Sequence, residues 1–157
     1  MLLERVIRFV RNVSVILFLG VLLLVYAYLH ENLTFYLDEN QQIGISLNSF
    51  FYGSLIIFAF ANLFLNIMLS FSDKIVPGKR SGLFFRSAEM KGNFRIWLYG
   101  FNAATNFFLL SIVGYLGLLN SSDQYGLSGY RWVVYMGPVF VVIILIGLIL
   151  MLGRGRR

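Results

Sequence analysis

The sequence predicts an all-α membrane protein, a bundle of four transmembrane helices with both termini in the cytoplasm. Three observations predict it. First, 59% of the 157 residues are hydrophobic and only 13% are charged, whereas soluble domains average about 25% charged. A globule this small then has too few polar groups to cover its surface, so the excess apolar surface must face lipid. Second, four apolar stretches are each long enough for a helical span. Third, twelve of the thirteen Lys and Arg residues fall in three short segments that bracket those stretches. Arg5, Arg8 and Arg11 come first, then Lys74, Lys79, Arg80, Arg86, Lys91 and Arg95, and finally Arg154, Arg156 and Arg157. Basic residues are retained on the cytoplasmic side, which places all three segments there.

The spans are expected over about 13–29, 50–71, 96–119 and 130–152. At about 1.5 Å per residue each crosses a hydrocarbon core of about 30 Å, the first only just. Each must be helical, because lipid leaves unpaired backbone groups unsatisfied. Residues 2–12 alternate apolar side chains with the three arginines and continue the first span into the headgroups. A basic start before an apolar run also resembles a signal peptide. Here the run exceeds the usual 7–15 residues and no small-x-small cleavage site follows. Phe50, Phe51, Tyr52, Trp97, Tyr99, Tyr130, Trp132 and Tyr135 lie near span ends and read as an interfacial aromatic belt. Pro138, inside the fourth span, removes a helical hydrogen bond to Val134, so a kink is expected there, with Gly137 adding freedom.

The first outer loop, 30–49, holds Glu31, Asp38 and Glu39 and no Lys or Arg. A shorter outer loop, 120–129, is rich in Ser, Gly and Asn, and a basic tail follows at 153–157. The cytoplasmic loop, 72–95, contains a Pro77-Gly78 turn. Its Ser81–Phe94 part mixes Leu83, Phe84, Phe85 and Met90 with Arg86, Glu89 and Lys91. That mixture suits either a short helix in the headgroups or an irregular loop. Nothing resembles a separate soluble domain.

Ionisable residues inside a span are costly and mark function. None lies in the interior of these four, which weighs against a pump, a proton-coupled carrier or a charged ion filter. Intramembrane hydrolysis would need an activated nucleophile or a carboxylate pair, which is missing as well. The strongest polar signal is four asparagines. Asn62 and Asn66 are four apart on the second span, and Asn102 and Asn106 are four apart on the third. That spacing puts each pair on one helix face. Asn66 and Asn102 sit roughly 9 Å below the cytoplasmic boundary, and Asn62 and Asn106 roughly 15 Å. Antiparallel packing would pair Asn62 with Asn106 and Asn66 with Asn102, with Ser70 and Thr105 extending the set. Such amides act as interhelical glue at about 0.6–2 kcal/mol per contact, or line a small binding site. Gly100 and Ala104 form a small-x-x-x-small step that permits close helix approach.

Several functions are not expected. With no Cys there is no disulfide or thiolate metal site. His30, Glu31, Asp38 and Glu39 lack diagnostic metal-ligand spacing. No phosphate loop or nucleophile elbow appears, so neither a cofactor nor enzymatic activity is expected. The net charge of +6 brackets hydrophobic spans, which points to anionic lipid headgroups rather than nucleic acid, at roughly 1 kcal/mol per basic residue.

The stretch Tyr28-Leu29-His30-Glu31-Asn32-Leu33-Thr34-Phe35, then Asp38-Glu39-Asn40, then Ser46 to Tyr52 resembles the loop of an uncharacterised bacterial four-helix integral-membrane family. That family carries an L-P-E/D-x-V-x-x-H/F stretch and a D-x-x-G turn, and its module also occurs in SdpI-type immunity and signalling proteins. The resemblance covers about residues 26–66. His30 replaces the usual Pro, Gln41 stands where Gly is expected, and no Lys opens the second span. Usage of Phe, Tyr and Asn is similar to small inner-membrane proteins of Bacteroidota. The resemblance implies a multi-pass bacterial inner-membrane protein with a periplasmic first loop, and it implies no catalytic residue.

These readings together predict a non-enzymatic accessory, regulatory or scaffold subunit that associates with other membrane proteins or with itself. The alternative is a small transporter or a small-molecule or lipid binder using the Asn-lined interface between the second and third spans.

Overall fold

The computed structural model describes residues 2–29, 33–38, 41–78, 83–120 and 132–154. It contains four α-helices: α1 (Leu2–Tyr28), α2 (Leu47–Lys74), α3 (Ala88–Leu119) and α4 (Trp132–Arg154). Three of them, α1, α2 and α3, are long and apolar enough to cross a membrane, whereas the apolar part of α4, Tyr135–Met151, is shorter. Lys79, Arg80, Arg156, Arg157, His30, Glu31, Glu39 and nearly all of the 120–129 loop lie outside the described residues.

α3 is the hub, with long interfaces to α1 and α4 and a shorter one to α2. α1 and α3 run parallel and in step. Glu4 approaches Arg95, Arg8 lies over Tyr99, Ser14 meets Asn106, and Val21 and Val25 face Gly114 and Gly117. Small residues bring the backbones together at the far end, since a Cβ on Gly117 would stand 2.5 Å from Val25 Cγ2. α4 packs antiparallel against α3. There Phe107 stacks on Phe140 with ring centroids 5.2 Å apart, and Trp97 Nε1 donates to the Ile144 carbonyl at 2.9 Å. Gly100 presents its bare backbone to Ile144. α4 runs through Pro138 as one element. Gly137 beside it is buried, and a Cβ there would stand 2.8 Å from the Phe108 backbone.

The ring contacts between α1 and α2 lie away from the basic segments. Phe18 stacks on Phe58 with centroids 4.2 Å apart, Tyr26 packs on Phe51, and the Tyr26 hydroxyl donates to Asn48 Oδ1 at 2.9 Å. The segment expected as the first outer loop contains two paired strands, β1 (Leu33–Asp38) and β2 (Gln41–Ile45). The strands pair antiparallel from Leu33↔Ile45 to Asp38↔Gln41, with an irregularity between Tyr36 and Asp38. In the sequence, Thr34-Phe35-Tyr36 and Ile43-Gly44-Ile45 supply β-branched and aromatic residues on either side of a polar stretch, a pattern that suits paired strands. Leu33 is fully buried, and with Leu29 and Phe50 it closes the core at this end. Ser46 then caps α2, its hydroxyl accepting from the Ser49 amide at 3.1 Å.

At the basic end, the sequence of 81–94 suits either a short helix or an irregular loop. Residues 88–95 belong to α3, so no separate headgroup helix forms among the described part of 81–94. Ser87 caps α3 by accepting from the Met90 amide at 3.1 Å. A short 3₁₀ turn, Leu83–Phe85, folds back so that Phe84 and Phe85 pack on Phe94, and the Gly78 amide donates to the Phe85 carbonyl at 2.9 Å. Phe94 in turn joins Leu65, Leu69 and Leu98 in a second apolar cluster.

Overpacking a close contact costs about 1–3 kcal/mol. Gly137→Ala is therefore expected to lower unfolding stability in detergent by that amount. Gly147→Ala, with nothing within 4 Å of the new Cβ, should leave stability unchanged or raise it by up to about 1 kcal/mol. Thermal unfolding of both variants in one detergent checks the pair.

Candidate functional site

Polar side chains in an apolar helix interface must find partners on neighbouring helices. Asn62 on α2 and Asn106 on α3 form a reciprocal amide pair. Asn62 Nδ2 donates to Asn106 Oδ1 at 2.8 Å, and Asn106 Nδ2 returns toward Asn62 Oδ1 at 3.4 Å. Asn62 also donates to the Phe58 carbonyl at 2.9 Å. Asn106 Nδ2 lies 3.0 Å from Ser14 Oγ on α1 and 3.2 Å from Asn102 Oδ1 one turn along α3. Its two hydrogens are shared among three acceptors, so the contacts are in part bifurcated. Ser14 passes the chain on by donating to the Arg11 carbonyl at 2.7 Å. Ser14, Asn102 and Asn106 are at most 1% exposed, so this knot is sealed from its surroundings.

The other expected pair takes a different form. Asn66 Oδ1 accepts from Arg11 Nη1 at 3.5 Å, and Asn102 is engaged by Asn106, leaving Asn102 Nδ2 buried without a hydrogen-bond partner. Ser70 is exposed, and Thr105 donates to the Phe101 carbonyl at 2.9 Å. Neither joins the network. Ser14 joins it in their place. Its signal in the sequence is that it is the one hydroxyl or amide between Val13 and Val25.

The basic residues carry internal partners that a topology rule does not reveal. Lys91 Nζ donates to the Asp73 and Ile75 carbonyls at 2.8 and 2.9 Å, satisfying the open C-terminal carbonyls of α2. Arg95 Nε lies 3.0 Å from Asp73 Oδ1, an ion pair without an aligned hydrogen bond. Arg8 pairs with Glu4 one turn before it, and Arg95 approaches the same carboxylate at 4.0 Å. The Arg8 and Arg11 guanidiniums both approach the Tyr99 ring, at 5.0 and 5.2 Å from its centroid. Arg5, Lys74 and Arg86 are exposed, and the Arg154 side chain lies outside the description. No group of three or more metal-ligating side chains occurs among the described residues.

The arrangement binds three helices together through amides that occupy one another. Comparison with protein-family models, curated proteins and solved structures finds no match for this chain. The fold and the polar knot therefore define its class by themselves: a helical-bundle membrane protein.

The network makes the effects of Asn62→Leu and Asn106→Leu interdependent. A double-mutant cycle on thermal stability is expected to give a coupling of about 0.5–2 kcal/mol. The single Asn106→Leu change should be the more damaging, because Asn106 joins α1, α2 and α3. Additive losses would exclude a direct pair.

Proposed function

We propose that this chain is a multi-pass protein of the bacterial inner membrane that serves as a non-enzymatic accessory, regulatory or scaffold subunit. All four helices cross the bilayer, α4 included, since its 23 residues reach roughly 34 Å. Both termini and the central basic segment lie in the cytoplasm, and the paired strands lie outside, as the segregation of Lys and Arg supports. The resemblance of residues 26–66 to a bacterial inner-membrane loop supports the same placement.

One observation carries the role. α4 has an extensive interface with α3 alone and turns Val139, Val142, Ile146 and Ile149 outward. A helix held on one side, with a long uncovered apolar face, suits lateral association with another membrane protein or a second copy. Three of the asparagines support the same reading, because Asn62 and Asn102 are both joined to Asn106 and act as glue rather than as the lining of a transport path.

Two measurements test this. Extraction in a mild detergent followed by mass determination is expected to find a particle larger than one chain, and a strictly monomeric particle with nothing co-purifying would argue against the role. Accessibility labelling of single cysteines at positions 85 and 157 should report the same membrane face; opposite faces would refute the topology.

A further inference from the structure

Among the described residues, the hydrogen bonds of the Arg11 guanidinium all go to neutral side chains. Glu4 serves Arg8 and Arg95, and Asp73 serves Arg95. Arg11 instead reaches Asn12 Oδ1 at 3.1–3.3 Å, Asn66 Oδ1 at 3.5 Å and the Tyr99 ring. It is only partly buried, and it reaches from α1 to Asn66 on α2. A guanidinium held on an aromatic shelf with open donors matches the fork geometry of a phosphate.

Asn62 and Asn106 pair directly, so Asn66 and Asn102 form the next layer toward the basic end of these antiparallel helices. Asn102 Oδ1 is held by Asn106, and its Nδ2 is buried with no partner. The present bond from Arg11 to Asn66 is long, at 3.5 Å.

We propose that Arg11, seated on Tyr99 between α1 and α2, binds the phosphate of a phospholipid at the basic end. The phosphate draws Arg11 away from Asn66, whose Oδ1 then accepts from Asn102 Nδ2. Lipid binding thereby tightens the α2–α3 contact at this end. The inference rests on the proposed placement of this end at a membrane surface. The labelling experiment tests that placement separately, and lipid retention in detergent does not depend on sidedness.

Native mass spectrometry of the full chain tests the site, using phosphatidylglycerol, phosphatidylcholine or inorganic phosphate as probes. The wild type is expected to retain one phosphatidylglycerol in preference to phosphatidylcholine. Arg11→Gln should weaken that retention at least about tenfold, Arg11→Lys should fall between, and Arg5→Gln, an equal charge change on the same helix, should lose only the general headgroup attraction, at most about fivefold. Undiminished retention by Arg11→Gln would overturn the site. Should that variant fail to fold, an Arg11→Lys chain that retains lipid as well as the wild type would overturn it instead. Saturation by inorganic phosphate, with no added effect of lipid, would overturn the lipid as the source. Phosphatidylglycerol should also raise the wild-type Tm, whereas Asn66→Leu should keep the lipid without that gain. An equal gain in Asn66→Leu would overturn the exchange.

Discussion

Unsatisfied polar groups in an apolar interior are expensive, and this constraint organises the centre of the molecule. An amide left alone between apolar helices loses its hydrogen bonds without repayment from water. Asn106 escapes that cost only if α1 and α2 both stand at the right height and rotation against α3. Ser14 and Asn62 meet it there. Hydrophobic packing between such helices is forgiving, because lipid tails are as apolar as a leucine face. The polar knot is not forgiving, so it sets the register that the Phe18–Phe58 stack and the Val25–Gly117 contact then fill in.

Much of this was legible in the residues. The four-residue spacing and matched depth of the asparagines bring Asn62 to Asn106 without any knowledge of coordinates. Hydropathy locates the helices because lipid demands internally bonded backbone. Other features were hidden by the kind of signal used. The distribution of Lys and Arg reports a side of the membrane, not a partner, so the cap that Lys91 places on α2 and the Asp73–Arg95 pair were invisible to it. Pairing Asn66 with Asn102 by depth alone left out Arg11, whose stem is long enough to reach in from the headgroup level. The paired strands were present as Thr34-Phe35-Tyr36 and Ile43-Gly44-Ile45, but a segment between two spans invites reading as loop before its period of two is counted.

The two ends of the molecule are held by different physics. At the end with the paired strands the closure is apolar, with Leu29, Leu33 and Phe50 sealing the core. At the basic end it is ionic and aromatic. Lys91 covers the carbonyls that end α2, Asp73 and Glu4 divide Arg8 and Arg95 between them, and Phe84 and Phe85 fold down on Phe94. Salt screens the exposed members of the ionic layer while leaving the apolar closure untouched.

The central position of α3 has a consequence for biosynthesis. The ribosome delivers α1 and α2 first, yet those two touch each other little, and each waits for its main partner on α3. At about 5–20 residues per second, the stretch from Lys74 to Leu119 takes roughly 2–9 s to emerge. During that interval Ser14 and Asn62 are nascent polar groups with no Asn106 to receive them. A chaperone or insertase that shelters them until the third helix arrives would serve this protein more than one whose early helices pair at once.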